Sequence, residues 1–445
     1  MLDIKFIREN AEKVKESCKN RNMKCDIDRL LELDEKRRNQ MQTLEELKAE
    51  KNKINDEIKE LKLDKIKGAT IITKGIVVQK AKKIKEKLEK IKPELEEINI
   101  EYEKILYQIP NVYSEETPVG PDESGNKVIK KVGEPKVFDF EVKDHMQLGV
   151  SLDLIDVEKA AEVSGSRFYY LKNEAVFLQF AIANFVFNTL ANENILKSII
   201  EKTGAKVSSK LFVPIIPPVM IKDDVQKKIH RVFGEQTYCF GEDKINLVAS
   251  AEHTLAPYHM NQVIDKKDLP FRYIGYSVAF RREAGTYGKD MGGILRTHQF
   301  DKLEMESFTD SESGEEEQKF IVGVQEYLVG QLGLSYQVMQ ICTGDMGRPD
   351  YKQIDIECWM PGQNKYRETH TSDYMTDYQM RGIKSFYKDN DGNKKLLHTN
   401  DATAFAIGRI LIAILENYQQ ADGSVKIPEV LKKYMPEGMA VIKKK

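Results

Sequence analysis

A run of apolar residues at Ala81, Ile84, Leu88, Ile91, Leu95, Ile98, Tyr102 and Ile105, spaced alternately by three and four, restricts this chain more than any other feature. That spacing is a heptad seam, and a seam of this length has to pair with another helix. A second seam supplies the partner: Ile27, Leu30, Met41, Leu44, Leu47, Ile54, Ile58 and Leu61, interrupted by lysines. Gly68 and Gly75 lie between the two, so the sequence predicts an antiparallel helical hairpin with its tip near residues 64–76. Arms of roughly 35 residues would reach about 50 Å at about 1.5 Å per residue. Pro93 predicts a local kink with the seam continuing on both sides, since proline removes a helical hydrogen bond.

Charge gives the hairpin a direction. Between Lys48 and Lys92 there are 15 lysines against seven acidic residues, whereas Met1 to Ala49 is close to balanced. A lysine-rich coiled coil is commonly just a solvated one, and a basic distal half is also what reaching nucleic acid phosphates requires. Periodicity and charge leave both readings open.

The segment IPNVYSEETPVGPDESGN, from Ile109 to Asn126, concentrates Pro, Gly, Ser and acidic residues and reads as a boundary. The expected division is an arm, 1–112, and a body, 113–445. Helical stretches such as Val176 to Asn194 and β-prone runs such as Lys210 to Ile221 predict an α+β body on a mainly antiparallel sheet. No Gly-x-Gly-x-x-Gly opens a helix after a strand, so a Rossmann domain and a P-loop are excluded. The five cysteines include no Cys-x-x-Cys pair, which argues against a cysteine zinc site and a disulfide framework. No apolar run approaches the ~20 residues of a membrane span, and MLDIKFIREN has no signal-like core. The expectation is a cytoplasmic protein with no membrane partner.

The stretch FRREAGTYGKDMGGILRTHQFDKLE, Phe280 to Glu304, carries the chemistry. It puts a cation, a carboxylate and an aromatic ring at the two mouths of one glycine-rich loop. It closely resembles the second signature motif of class II aminoacyl-tRNA synthetases, and its wording is similar to that of seryl-tRNA synthetases. The resemblance covers nearly the whole chain: the helical hairpin, PVGPDESGN, FDFEVKDH, SGSRFYYL, FVPIIPPVMI of motif 1, LVASAEHTLAP, WMPGQNKYRE, and AFAIGRILIAILENYQQADGSVKIPEVL with motif 3.

The resemblance implies a reaction in which the serine carboxylate attacks the α-phosphate of ATP. The terminal ribose of serine tRNA, and of selenocysteine tRNA, then takes the acyl group. Arg281 is expected to bridge phosphate and carboxylate, Glu283 to read the adenine edge, Phe300 to stack on the ring, and Arg409 to cover its other face and meet the γ-phosphate. Arg281 and Arg409 are thus the expected catalytic residues. Arg282, Thr297, Thr369 and His370 complete the expected ATP set. Glu368 and Thr371 are the expected Mg²⁺ ligands. Ser250, Ala251 and Glu252 would receive the amino group, while Glu304 and Thr403 would meet the serine side chain. The loop AGTYGKDMGG would approach ATP closely. The resemblance further implies that the arm binds serine tRNA and that the chain is a homodimer through motif 1, which includes Pro218. None of the seven histidines is assigned a catalytic role.

Two segments depart from the family pattern. The usual Glu-Ile/Val-Ser-Ser is Glu368-Thr369-His370-Thr371, followed by Ser372-Asp373-Tyr374, and the usual Leu-Asn-Gly/Ala-Ser/Thr is Asn400-Asp401-Ala402-Thr403. Ser250 stands where threonine is common. Two other functions remain to be weighed: a non-catalytic tRNA-binding paralogue and an amino acid:carrier-protein ligase.

Overall fold

A computed structural model describes residues 1–62, 71–231, 234–284 and 293–444. The chain divides into two compact units, Leu2–Pro110 and Asn111–Lys445, with Met1 grouped with the second.

The first unit holds α1 (Ile4–Glu9), α2 (Ala11–Asn20), α3 (Ile27–Lys62) and α4 (Ile71–Gln108). Cross-helix pairs run in opposite directions along α3 and α4: Arg29 with Glu101, Arg37 with Asn99, Gln40 with Glu94. The hairpin is therefore antiparallel. Its seam buries Leu47, Ile54, Val77, Ile84 and Leu88, with Leu44, Ile58, Ala81 and Ile91 packed alongside. Met41 is 38% exposed and lies off the seam. In the last turn of α4, Leu106 is buried while Ile105 is only partly so. An α-helix drifts by about 20° per heptad against a strict seven-residue repeat, so over about four heptads the buried stripe moves by nearly one residue. Residues 64–70 of the expected tip lie outside the described residues. Gly75 is not a turn residue, because α4 is already helical from Ile71, and α4 continues unbroken through Pro93.

The second unit is built on an eight-stranded sheet. In chain order its strands are β1 (Lys127–Val132), β2 (Val213–Ile215), β3 (Phe271–Phe280), β4 (Gln299–Thr309), β5 (Tyr336–Gln340), β6 (Lys352–Met360), β7 (Lys365–Thr376) and β8 (His398–Ala406). Their spatial order is β1-β5-β6-β7-β8-β4-β3-β2. Only the β2–β3 pairing is parallel.

Successive side chains of a strand point to opposite faces, and the central strands use both. Leu303 and Met305 of β4, Ala402 and Ala404 of β8, and Ile354 and Ile356 of β6 face one large apolar core. That core is completed by α5 (Glu174–Leu190), α6 (Gly314–Gln331) and α7 (Ile407–Tyr418), through residues such as Leu178, Phe320, Leu328, Ile410 and Ile414. The alternate residues, Lys302 and Glu304 on β4, Asp401 and Thr403 on β8, go to the other face, which carries a polar cleft. Among the described residues no single helix is long and apolar enough to cross a membrane.

Candidate active site

The polar face of the sheet opens into a cleft of about 390 Å³. Its walls include Arg281, Glu283, Thr297, Phe300, Glu368, Thr369, Thr371, Thr403 and Arg409, all expected from the sequence. Phe300 comes from β4, Glu368, Thr369 and Thr371 from β7, Thr403 from β8 and Arg409 from the first turn of α7, while Arg281, Glu283 and Thr297 stand on the segments that follow β3 and precede β4, so the central sheet is the common support.

At the cationic end, the Arg281 guanidinium lies 5.2 Å from the centre of the Phe300 ring and its Nε donates to the Ala249 carbonyl at 3.2 Å. Arg409 donates to the Glu368 carbonyl at 2.9 Å and pairs with its carboxylate at 2.7 Å. Loss of water contact and the nearby Arg409 charge lower the Arg281 pKa below the usual range. Two guanidiniums held together in one cleft, with only part of their charge answered, constitute an anion site. Desolvation works against the Glu368 charge, but Arg409 and Arg281 outweigh it and hold the carboxyl below its usual range. Glu283, at φ 49°, has its carboxylate 3.7 Å from Arg296. The His298 ring shares a 3.0 Å hydrogen bond with the Arg281 carbonyl, tying the two ends of the motif together. The glycine-rich loop between them, residues 285–292, lies outside the described residues.

At the other end, Thr403 lines the wall, and the expected serine-binding residues Ser250, Ala251, Glu252 and Glu304 sit behind it. Lys302 lines the cleft, pairs with Glu304 at 2.5 Å and donates to the Ser250 hydroxyl at 3.3 Å. Glu304 is fully buried, and burial raises its pKa despite Lys302. Glu252 is also buried, but the Arg231 guanidinium outweighs the desolvation and lowers its pKa to about 2. These two carboxyls are therefore set apart: one held charged, the other biased towards its neutral form. Ala251 is fully buried and sits within packing distance of the Gly275 backbone.

The arrangement on β7 depends on a register break. Ile356 of β6 faces His370 while Glu357 faces Glu368, so Thr369 is the extra residue of a bulge. In a regular strand of the same residues, Glu368 and Thr371 would fall on opposite faces. The bulge brings both to the cleft and sends the His370 ring into the core, fully buried, 5.1 Å from Phe405 and bonded to the Thr369 hydroxyl at 2.8 Å. Burial lowers the His370 pKa to about 3. Its side chain is thus not brought to the cleft. Arg282 is not either; its guanidinium lies over the Tyr238 ring at 5.0 Å.

Lys302, Arg231, Asp350, Gln353 and Asp373 line the cleft without having been expected. Lys302 was findable, because it falls on the same alternation as Phe300 and Glu304. Arg231 sits in HRVFGEQ, which matches no motif, and only the fold brings it to the site.

Comparison with known proteins gives the same picture from outside. Residues 1–113 match the seryl-tRNA synthetase N-terminal domain, and residues 239–418 match the tRNA synthetase class II core domain (G, H, P, S and T). The serine–tRNA ligase of Treponema denticola is 40% identical over 98% of each chain, and that of Dictyoglomus thermophilum is 41% identical over the full length of both. The crystal structure of seryl-tRNA synthetase from Pyrococcus horikoshii complexed with ATP covers both chains completely, with a TM-score of 0.85 at 35% identity. With identity of this order running through arm and body alike, the chain belongs to the seryl-tRNA synthetase family.

Proposed function

We propose that this chain activates L-serine with ATP, forming seryl-adenylate and pyrophosphate, and then transfers serine to the 3′ end of serine tRNA and of selenocysteine tRNA. The observation that carries this reading is the polarity of one cleft: Arg281 and Arg409 at one end, and the Ser250, Glu252, Lys302, Glu304 and Thr403 group at the other. Activation brings two anions together and spreads charge over a crowded phosphorus, so fixed cations and orientation supply most of the acceleration.

Arg281, half-buried and steered by the Ala249 carbonyl, holds the α-phosphate against the serine carboxylate. Phe300 takes one face of the adenine and Arg409 the other, with Glu283 at the base edge and Thr297 beside it. Glu252, kept ionised, receives the ammonium group together with Ser250, and Ala251 sets the turn between them. Glu304 and Thr403 answer the serine hydroxyl; a substrate without that hydroxyl would leave buried polar groups unpaired, which costs several kcal/mol.

Among the described residues no three His, Cys, Asp or Glu side chains are grouped to hold a metal by themselves. Glu368 and Thr371 offer hard oxygen donors on one wall, which fits Mg²⁺, an ion that binds through one or two protein oxygens together with phosphates. When bound there, Mg²⁺ would neutralise phosphate charge.

Residues 1–112 would serve as the tRNA-binding arm and 113–445 as the catalytic domain. The lysine excess around the distal half of the hairpin supports phosphate contact over a long reach. A homodimer through motif 1 is supported by apolar side chains standing in water there: Val213 at 54%, Ile216 at 83% and Met220 at 53% exposure.

Purified protein should exchange pyrophosphate into ATP in a serine-dependent manner across an amino acid panel. No exchange with any amino acid would favour the non-catalytic paralogue. Activation followed by transfer to a carrier protein but not to tRNA would favour the carrier-protein ligase.

A further inference from the structure

Arg231 sits where it can govern the amino acid half of the cleft. Its Nε donates to Glu252 Oε1 at 2.5 Å, and Gln379 Nε2 donates to the same oxygen at 2.7 Å. Two donors on one oxygen fix the rotation of that carboxylate, so its direction towards an incoming ammonium is set from Arg231 and Gln379. The guanidinium also faces three more carboxylates: Nη2 is 3.3 Å from Asp401, 3.6 Å from Asp350 and 3.8 Å from Asp373. All five side chains are at most 9% exposed. One arginine therefore stands against four buried carboxylates, and the ammonium of an incoming amino acid would bring a second cation to the group.

Asp401 is the residue of this group at which the chain departs from the usual Asn of the family pattern. It is paired across the sheet with Glu306 on one side and Asp373 on the other, so three carboxylates lie abreast on neighbouring strands. Burial and the neighbouring Glu252 and Asp373 push the Asp401 carboxyl up towards its neutral form, in hydrogen-bond contact with Glu252, and only a cation that spans both carboxyls pulls it the other way. Arg231 is the group that spans both.

We propose that Arg231 is the positioning residue for amino acid binding: it aims Glu252 at the substrate ammonium and, in the same grip, makes an aspartate tolerable at position 401. The proposal rests on the serine-activating reading of the cleft. It acts through Glu252 and leaves the phosphate end to Arg281 and Arg409.

The test is steady-state pyrophosphate exchange with wild type, Arg231→Gln, Arg231→Lys and the double variant Arg231→Gln/Asp401→Asn, each checked for native circular dichroism. Arg231→Gln should raise KM for serine at least about tenfold while KM for ATP stays within about twofold, because only one half of the site is disturbed. Lysine keeps the charge without the fork and should fall between. Replacing the Asp401 carboxyl by an amide in the double variant should recover a large part of the loss, a coupling that a merely structural arginine would not produce. If Arg231→Gln alone does not fold, the lysine and double variants are read against wild type in the same way. An unchanged KM for serine, an equal rise in both KM values, or a double variant no better than the single would each overturn the proposal. The wild-type control separates the two readings. No serine-dependent exchange in wild type refutes the function and this proposal together, whereas normal wild-type exchange with an unshifted Arg231→Gln refutes Arg231 alone.

Discussion

In the arm, Lys59 and Asp56 pair with side chains 73% and 70% exposed; in the body, Arg231 and Glu252 pair at 7% and 3%. Exposed pairs of the first kind contribute about 0–1 kcal/mol and are screened by salt. Buried pairs of the second kind are expensive to desolvate, and breaking one leaves an uncompensated charge inside the protein, at about 3–5 kcal/mol. The same charged residue types therefore serve two ends. The arm keeps its lysines in water, where their field can reach a distant phosphate. The body sinks its charges, and there they fix direction at close range.

The sharpest way to break this contrast is to remove one cation from the body. Arg281→Ala should lower serine-dependent exchange by at least about a thousandfold, since charge stabilisation of this kind is worth several kcal/mol, with the melting curve unchanged. Near-normal exchange would remove Arg281 from the mechanism. Next in size is deletion of residues 30–105, which should leave adenylate formation within about threefold and cut tRNA charging by about a hundredfold or more, because the lost contacts are to phosphate. Equal charging without the arm would refute the division of labour.

A smaller effect sharpens the mechanical side. Leu88, 7% exposed in the seam, mutated to alanine should destabilise the hairpin by about 2–4 kcal/mol, read as earlier loss of helical signal, with exchange untouched. The smallest expected effect is a pH slope. Burial, followed by Glu252 and Glu304, raises the Glu306 pKa well above its usual 4.5, so the native state holds a proton that the unfolded chain releases. Stability then falls as pH rises above about 4.5 towards the folded-state pKa. Glu306→Gln, which cannot ionise, should match wild type near pH 4 and unfold a few degrees later at pH 8. Parallel curves for the two proteins would show Glu306 to be charged in the fold.

The two regions also differed in how far they could be read in advance. The seam was legible because a helix repeats one rule along its length, and the reading slipped at Met41, which lies off the seam, and where drift accumulates, at Ile105 and Leu106. Gly75 misled because glycine marks turns by preference alone, and a helix packed along its seam absorbs it. In the body, the signature motif announced Arg281, Glu283, Phe300 and Glu304 as one local string. Arg231 was not legible, since its partners Glu252, Asp350, Asp373 and Asp401 come from four distant stretches that meet only in the folded sheet. The unusual Thr369-His370-Thr371 segment could be seen as unusual but not interpreted, because which residue turns inward depends on pairing with β6.

That pairing carries a consequence for how this protein can change over time. With Thr369 as the inserted residue of β7, the number of residues between Glu368 and Thr371 matters more than their names. A substitution at 370 only has to suit the core beside Phe405, and this chain fills it with an imidazole. Loss of the inserted residue would turn the bulge into a regular ladder and leave Glu368 and Thr371 on one face, whereas one further residue, if paired into the ladder, would reverse the facing of the strand beyond it and separate Glu368 from Thr371 and Asp373. Drift in spelling is tolerable in this segment; a further insertion is not.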